Sequence, residues 1–199
     1  MRIRLMAACC LLGTGSLAAV AQMGANAAKG PDLGTIATPA VALDSELSLI
    51  ESEMMGAVKA MPPEKFGFAP SAAIFVPGQT TEFATVRTFA QQATHVAQAN
   101  YFFFSGLSGL KPDVDMKAIP NLTNKDEVVS ALAASFAFGH KAIATLTVAN
   151  AFEVLKTPEP GLQTRSTLAG FAVSHAFDHY GQMIEYLRMN GLVPPASAR

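Results

Sequence analysis

Two histidines, His175 and His179, stand four residues apart in the stretch SHAFDHYGQMIEYLRMNG. That spacing puts both imidazoles on one face of a helix. Leu168, Phe171, Ala172, Gln182 and Tyr186 share the face, which is mostly apolar and so turns toward a protein interior. Paired imidazoles aimed into a helical core are one way to ligate a divalent metal. Two core histidines bonded to backbone or hydroxyl groups have the same spacing, and the spacing does not choose between these readings.

The chain has two more histidines. His95, in ATHVAQANYFFFSGL, is the natural third ligand. Its helical neighbours Thr88, Gln91, Gln98, Ala99 and Phe102 form a polar or small face, nearly opposite the apolar stripe of its segment. Periodicity favours a surface histidine there; a polar pocket open to water has the same pattern. His140 follows Gly139 in FAFGHKAIATL and reads as a packing or surface residue rather than a fourth ligand. Asp178 makes HAFDH resemble the H-x-x-E-H of some metalloproteases with a shorter acid, and Ala176 stands where H-E-x-x-H would need its base. Asp178 is therefore read as an exposed carboxylate or as one supporting a histidine.

Three neutral imidazoles would leave a divalent metal its full charge and open coordination positions. Such a centre lowers the pKa of water to about 7 or activates an incoming thiolate. Three histidines suit Zn, Ni, Cu or Fe, with zinc or nickel preferred. Gln91, Gln98 and Gln182 can orient a water or a substrate but cannot exchange protons. Tyr186 and Asp178 are the candidates for proton transfer, and the catalytic residue itself stays unassigned.

These side chains must be positioned by a chain of 199 residues, half of them hydrophobic. That is ample for one packed domain and thin for two. Charged residues make up only 15%, with a formal net charge of -1, so no basic excess points to nucleic acid. The start has the pattern of a signal peptide over residues 1–27: a basic MRIR, an apolar run, then small-residue cleavage sites at Ala19-Val20-Ala21 and Ala25-Asn26-Ala27. Gly13, Thr14, Gly15 and Ser16 break the apolar run, which argues against a membrane anchor. Cleavage would remove Cys9, Cys10, Arg2 and Arg4, leaving 12 basic and 15 acidic side chains and no thiol. The expectation is an exported, periplasmic protein without disulfides and without a stable membrane span after cleavage.

Residues 28–42 read as a flexible leader and 43–199 as the folded domain. Leu47, Ile50, Met54 and Val58 recur at helical spacing within a helix predicted over Leu43–Met61, capped by Asp44 or Ser45 and stopped by Pro62 and Pro63. Pro62–Thr80 is a long loop with aromatic anchors, of a length usually ordered for a purpose. A second helix is predicted over Thr81–Leu107. A third is capped by Thr123 and runs through EVL before Pro158. The fourth opens at Thr164 and ends at Gly191. No alternation long enough for a sheet is present, so the expected fold is an all-α, antiparallel four-helix bundle. The far side of the fourth helix carries Val173, Phe177, Ile184 and Leu187, a pattern that permits a homodimer.

The stretches HVAQANYFFFSGL, FAFGHKAIATLT and SHAFDHYGQMIEYLRMNGLVPPASAR resemble the DinB/YfiT-like superfamily. The likeness spans the chain from about Leu43 and is sharpest in the second and fourth helices. It implies a bundle holding a divalent metal through His95, His175 and His179, and either metal-dependent hydrolysis or thiol-dependent transfer of a small-molecule substrate. Export separates this chain from the cytosolic thiols that transferring members use. The alternative is a non-catalytic helical bundle with a structural metal or a partner-binding role.

Overall fold

The computed structural model describes residues 32–71, 77–78, 86–156 and 164–198. The expected signal peptide over residues 1–27, with both candidate cleavage sites, lies outside the described residues. The folded unit is Ala37–Arg199.

Helix α1 spans Pro39–Ala60, starting before the predicted Leu43. The cap is Thr38, not Asp44 or Ser45: its hydroxyl accepts from the Val41 amide, and Pro39 takes the first helical position, where a missing N–H costs nothing. The end of the predicted leader is thus helical. Leu47, Ile50, Met54, Ala57 and Val58 form its buried stripe.

Helix α2 spans Phe89–Ser108, later than the predicted start at Thr81. Thr88 fixes the start through a reciprocal pair of bonds: its hydroxyl accepts from the Gln91 amide, and the Gln91 side chain accepts from the Thr88 amide. The preceding loop supplies two further acceptors. The Phe89 and Ala90 amides donate to the carbonyls of Phe68 and Phe66 at 2.8 and 2.9 Å, satisfying donors that a helix start leaves unpaired. The aromatic anchors thus tie this loop to the start of the helix that carries His95. Phe66 meets Phe89 edge-on at 5.4 Å, and Phe68 meets Tyr186 at 5.6 Å. Gly109 closes α2 at φ 77°, in the left-handed region that glycine occupies without strain.

Helix α3 spans Lys125–Ile143. Its cap is Asn124 rather than Thr123, with the Asn124 side chain accepting from the amides of Asp126 and Glu127. It ends well short of the predicted EVL. Beyond Ile143 the side chains satisfy the backbone locally: Thr145 donates to the Ala142 carbonyl, and Asn150 accepts from the Thr147 amide while donating to the Thr145 carbonyl. Such bonds compete with helical ones. Val148, Phe152 and Val154, within the stretch expected to be helical, are exposed.

Helix α4 spans Arg165–Met189. Thr164 caps it as predicted, and Gly191 follows its end at φ 71°. The only extended pairing among the described residues is an isolated bridge between Val154 and Thr164. Among the described residues no helix is long and apolar enough to cross a membrane.

The result is the expected all-α four-helix bundle, in which α1 and α2 each pack against α3 and α4. The antiparallel partners are not consecutive. In the pair α1–α3, the Lys125 ammonium at the start of α3 donates to the Lys59 and Met61 carbonyls at the end of α1, while His140 near the end of α3 meets Asp44 and Glu51. In the pair α2–α4, Gln92 lies beside Gln182 and His95 beside His175. Helices α2 and α3 run the same way, with Asn100 bonded to Ser135 and Phe104 pressed on Gly139. A Cβ at Gly139 would lie only 2.7 Å from the Phe104 ring, so glycine sets the close approach of these helices.

Candidate metal centre

His95 projects from the middle of α2, and His175 and His179 from successive turns of α4. Because these helices are antiparallel neighbours, the rings converge. The Nε2 atoms of His95 and His175 are 3.2 Å apart. Ring centroids are separated by 4.7 Å for His95–His179 and 4.6 Å for His175–His179. One ligand atom from each ring lies within 4.8 Å of the others. His95 is therefore not a surface histidine. Its polar face opens on a cleft, the alternative that periodicity alone did not favour.

Fit to a metal can be tested on the spacing. Two nitrogens at about 2.0–2.1 Å from a tetrahedral zinc stand about 3.3–3.4 Å apart; the His95–His175 pair matches this at 3.2 Å, while the three-ligand set as a whole lies within the wider limit of 4.8 Å. Protonation state fits as well. Burial, then the Arg87 charge, then the other two imidazoles lower the pKa of His95 to about 4. Burial and His179 lower His175 to about 4, with Asp178 opposing and Arg87 adding to the shift. Burial also lowers His179, against the pull of Asp178 and with help from Arg87. At neutral pH all three rings are neutral and present lone pairs, the form a cation requires.

The orientation of His179 is fixed by a chain of amides. His179 is only 5% exposed. Its Nδ1–H donates to the Gln92 carbonyl oxygen at 2.6 Å, which leaves Nε2 bare. The Gln92 amide donates to Gln182 at 2.8 Å, and Gln182 donates to the exposed Asp178 carboxylate at 3.1 Å. Gln92 was not singled out from the sequence, although it lies one turn before His95 on the same helix. His175 is different: its Nδ1 is buried and has no hydrogen-bond partner among the described residues. Its ring is walled instead by Phe103 and Phe171, with centroids at 5.5 and 6.2 Å.

The three glutamines read as water-orienting groups have structural duties. Gln91 caps α2, Gln98 donates to the Met116 carbonyl at 2.9 Å, and Gln182 holds Gln92. Of the proton-transfer candidates, Tyr186 is buried and donates to the Arg87 carbonyl at 3.0 Å, while Asp178 is the outer end of the amide chain. Arg87, another residue the sequence did not flag, stands beside the histidines at the mouth of the cleft.

His140 lies outside the cluster and is no fourth ligand. Its Nδ1 meets Asp44 at 2.6 Å and its Nε2 meets Glu51 at 3.0 Å. Burial works against a charged ring here, but the hydrogen bonds and charges of the two carboxylates outweigh it and raise the pKa. A raised folded-state pKa stabilises the fold fully below the unfolded value of about 6.5 and loses that contribution as pH rises through the folded value. The melting-temperature gap between parent and His140→Gln should therefore be wider at pH 6 than at pH 9. An equal gap at both would mean that charge on His140 adds nothing.

Comparison with known proteins agrees with this architecture. The model of the DinB superfamily matches residues 46–183. A DinB-like protein from Bacillus cereus, known from its crystal structure, is similar at a TM-score of 0.62 and 17% identity, over 77% of this chain and 93% of that one. No curated protein matches the chain. With the family model covering α2, α3, most of α1 and all three clustered histidines, the chain belongs to the DinB superfamily.

Proposed function

We propose that the protein is an exported metalloenzyme of the DinB superfamily in which His95, His175 and His179 hold a divalent ion, zinc or nickel, and which acts as a hydrolase or transferase on a small molecule. The observation that carries this reading is the convergence of three imidazoles, two of them 3.2 Å apart, beside an open cleft. When bound, the ion would supply Lewis acidity and a site for polarising water or a substrate oxygen. The chain's own residues do the rest. Gln92 holds the tautomer of His179, Phe103 and Phe171 shield His175, and Arg87 adds positive charge on the open side.

Elemental analysis of untagged protein from metal-supplemented cells tests the centre. Close to one zinc or nickel per chain is expected, removable by chelator with loss of any hydrolytic activity. Protein isolated without metal under those conditions would sink the reading. Export is supported by the basic start, the apolar run and the paired small-residue sites of residues 1–27. Protein from the exporting host should begin between Gln22 and Ala28 by intact mass. An uncut Met1 or a lipidated cysteine would contradict export by this route.

A further inference from the structure

The cleft beside the histidines has two lobes of opposite chemistry. One, about 400 Å³, is walled by Arg87, Gln91 and Thr94. The other, about 340 Å³, is walled by Ala99, Phe102, Phe103 and Met116, with His175 at its edge. His95 and Gln98 line both. His95 therefore sits at the seam between a polar, cationic compartment and an apolar one, with the other two histidines beside it.

Phe103, Ala99 and Met116 belong to or pack on the core, but one residue in each wall is not explained by the packing of the bundle. Phe102 is 46% exposed although it stands on the helix that supplies much of the core. Arg87 is exposed, and among the described residues no carboxylate pairs with it. Its backbone is nevertheless pinned, by the Tyr186 hydroxyl on its carbonyl and by the Thr88 cap that follows it. A guanidinium on an anchored backbone, unpaired among the described residues, is suited to receive a carboxylate or similar oxyanion. The far wall is also held in place, since Gln98 bonds the Met116 carbonyl and Phe103 packs edge-on against Phe171 and His175. Each lobe has the volume of a small-ligand site.

We propose that the cleft binds a small organic anion with an apolar body, its charged end received by Arg87 and its body lying against Phe102, Phe103 and Met116. This names the substrate class for the metal centre proposed above and rests on that reading for its reactive role. The bond to be acted on would then lie between head and body, over His95.

Titration calorimetry with three probes tests it: phenylbutanoate, butanoate, which lacks the apolar body, and phenylbutanol, which lacks the charge. Phenylbutanoate should bind at least about tenfold more tightly than either of the others, the scale of one charge-assisted contact or one buried ring. Arg87→Gln should abolish the preference for acid over alcohol and leave alcohol binding unchanged. Phe102→Ser should bring phenylbutanoate close to butanoate. Both positions are exposed, so the variants should melt with the parent. Equal binding of acid and alcohol by the parent overturns the proposal. So does an acid preference that survives Arg87→Gln, which would place the carboxylate elsewhere, for instance on a bound ion. Chelator-treated protein should keep the preference, because Arg87 is its source. Metal content, read separately by elemental analysis, decides the metal centre whichever way the probes bind.

Discussion

Replacing His175 with Ala should remove the metal from the protein, and any activity with it, while the bundle stays folded. Three ligands are the least that hold an ion firmly with positions left open, and two would remain. The fold should tolerate the loss for reasons visible around the ring. The Nδ1 of His175 has no hydrogen-bond partner among the described residues, so the substitution gives up only the Nε2 contact with His95 at 3.2 Å. The core is carried by Phe66, Phe89, Phe104 and Phe136 and by aliphatic stripes on all four helices. The void left beside Phe103 and Phe171 should cost about 1 kcal/mol, a fall of about 2–4 °C in melting temperature for a chain of this length. If the ion were structural, its binding energy would be folding energy, and the same variant would melt far lower. Melts of parent and variant, each with and without chelator and each paired with metal analysis, separate the two. A His175→Ala protein that keeps the parent's metal content would exclude His175 as a ligand.

What could be read from the sequence followed how local each signal is. The start of α4 and its glycine-marked end were legible, because Thr164 and Gly191 act on their own backbone. The end of α3 was not: VANAFEVL continues an apolar pattern, and only the bonds of Thr145, Thr147 and Asn150 show that the helix has stopped. The HxxxH pair was legible from spacing, but the place of His95 was not. A face of Gln91, Gln98 and Thr88 looks the same whether it meets bulk water or a cleft. The resemblance to the superfamily supplied what periodicity could not, and the 3.2 Å approach of His95 to His175 now supports it geometrically. The partners of His140 and His179 were out of reach for a plainer reason. Asp44 lies 96 residues from His140, and Gln92 lies 87 residues from His179. No short pattern reports a contact made only when two helices pack.

Gln92 is where that hidden contact should have its largest effect. Replacing it with Leu should lower the affinity for the metal by about 10–100-fold, the usual cost of losing the group that orients a ligating histidine. Gln92 is 2% exposed, and its two polar atoms are both committed, the oxygen to His179 and the amide to Gln182. Leucine fills a similar volume, so little void should result. It leaves the Nδ1–H of His179 without an acceptor in a buried setting, which costs free energy in that tautomer. The ring can then turn, or move its proton to Nε2, and either change removes the lone pair from the cluster. Gln92→Glu keeps an acceptor for His179 and, once the Gln182 amide turns to donate to it in place of Asp178, should hold metal nearly as the parent does, which ties the loss to the hydrogen bond rather than to packing. Competition titrations against a chelator of known affinity would measure all three proteins, and melts of the metal-free forms would show whether the fold has changed. If the Leu variant binds metal as tightly as the parent, the amide chain from Asp178 to His179 supports the bundle and does not set the ligand.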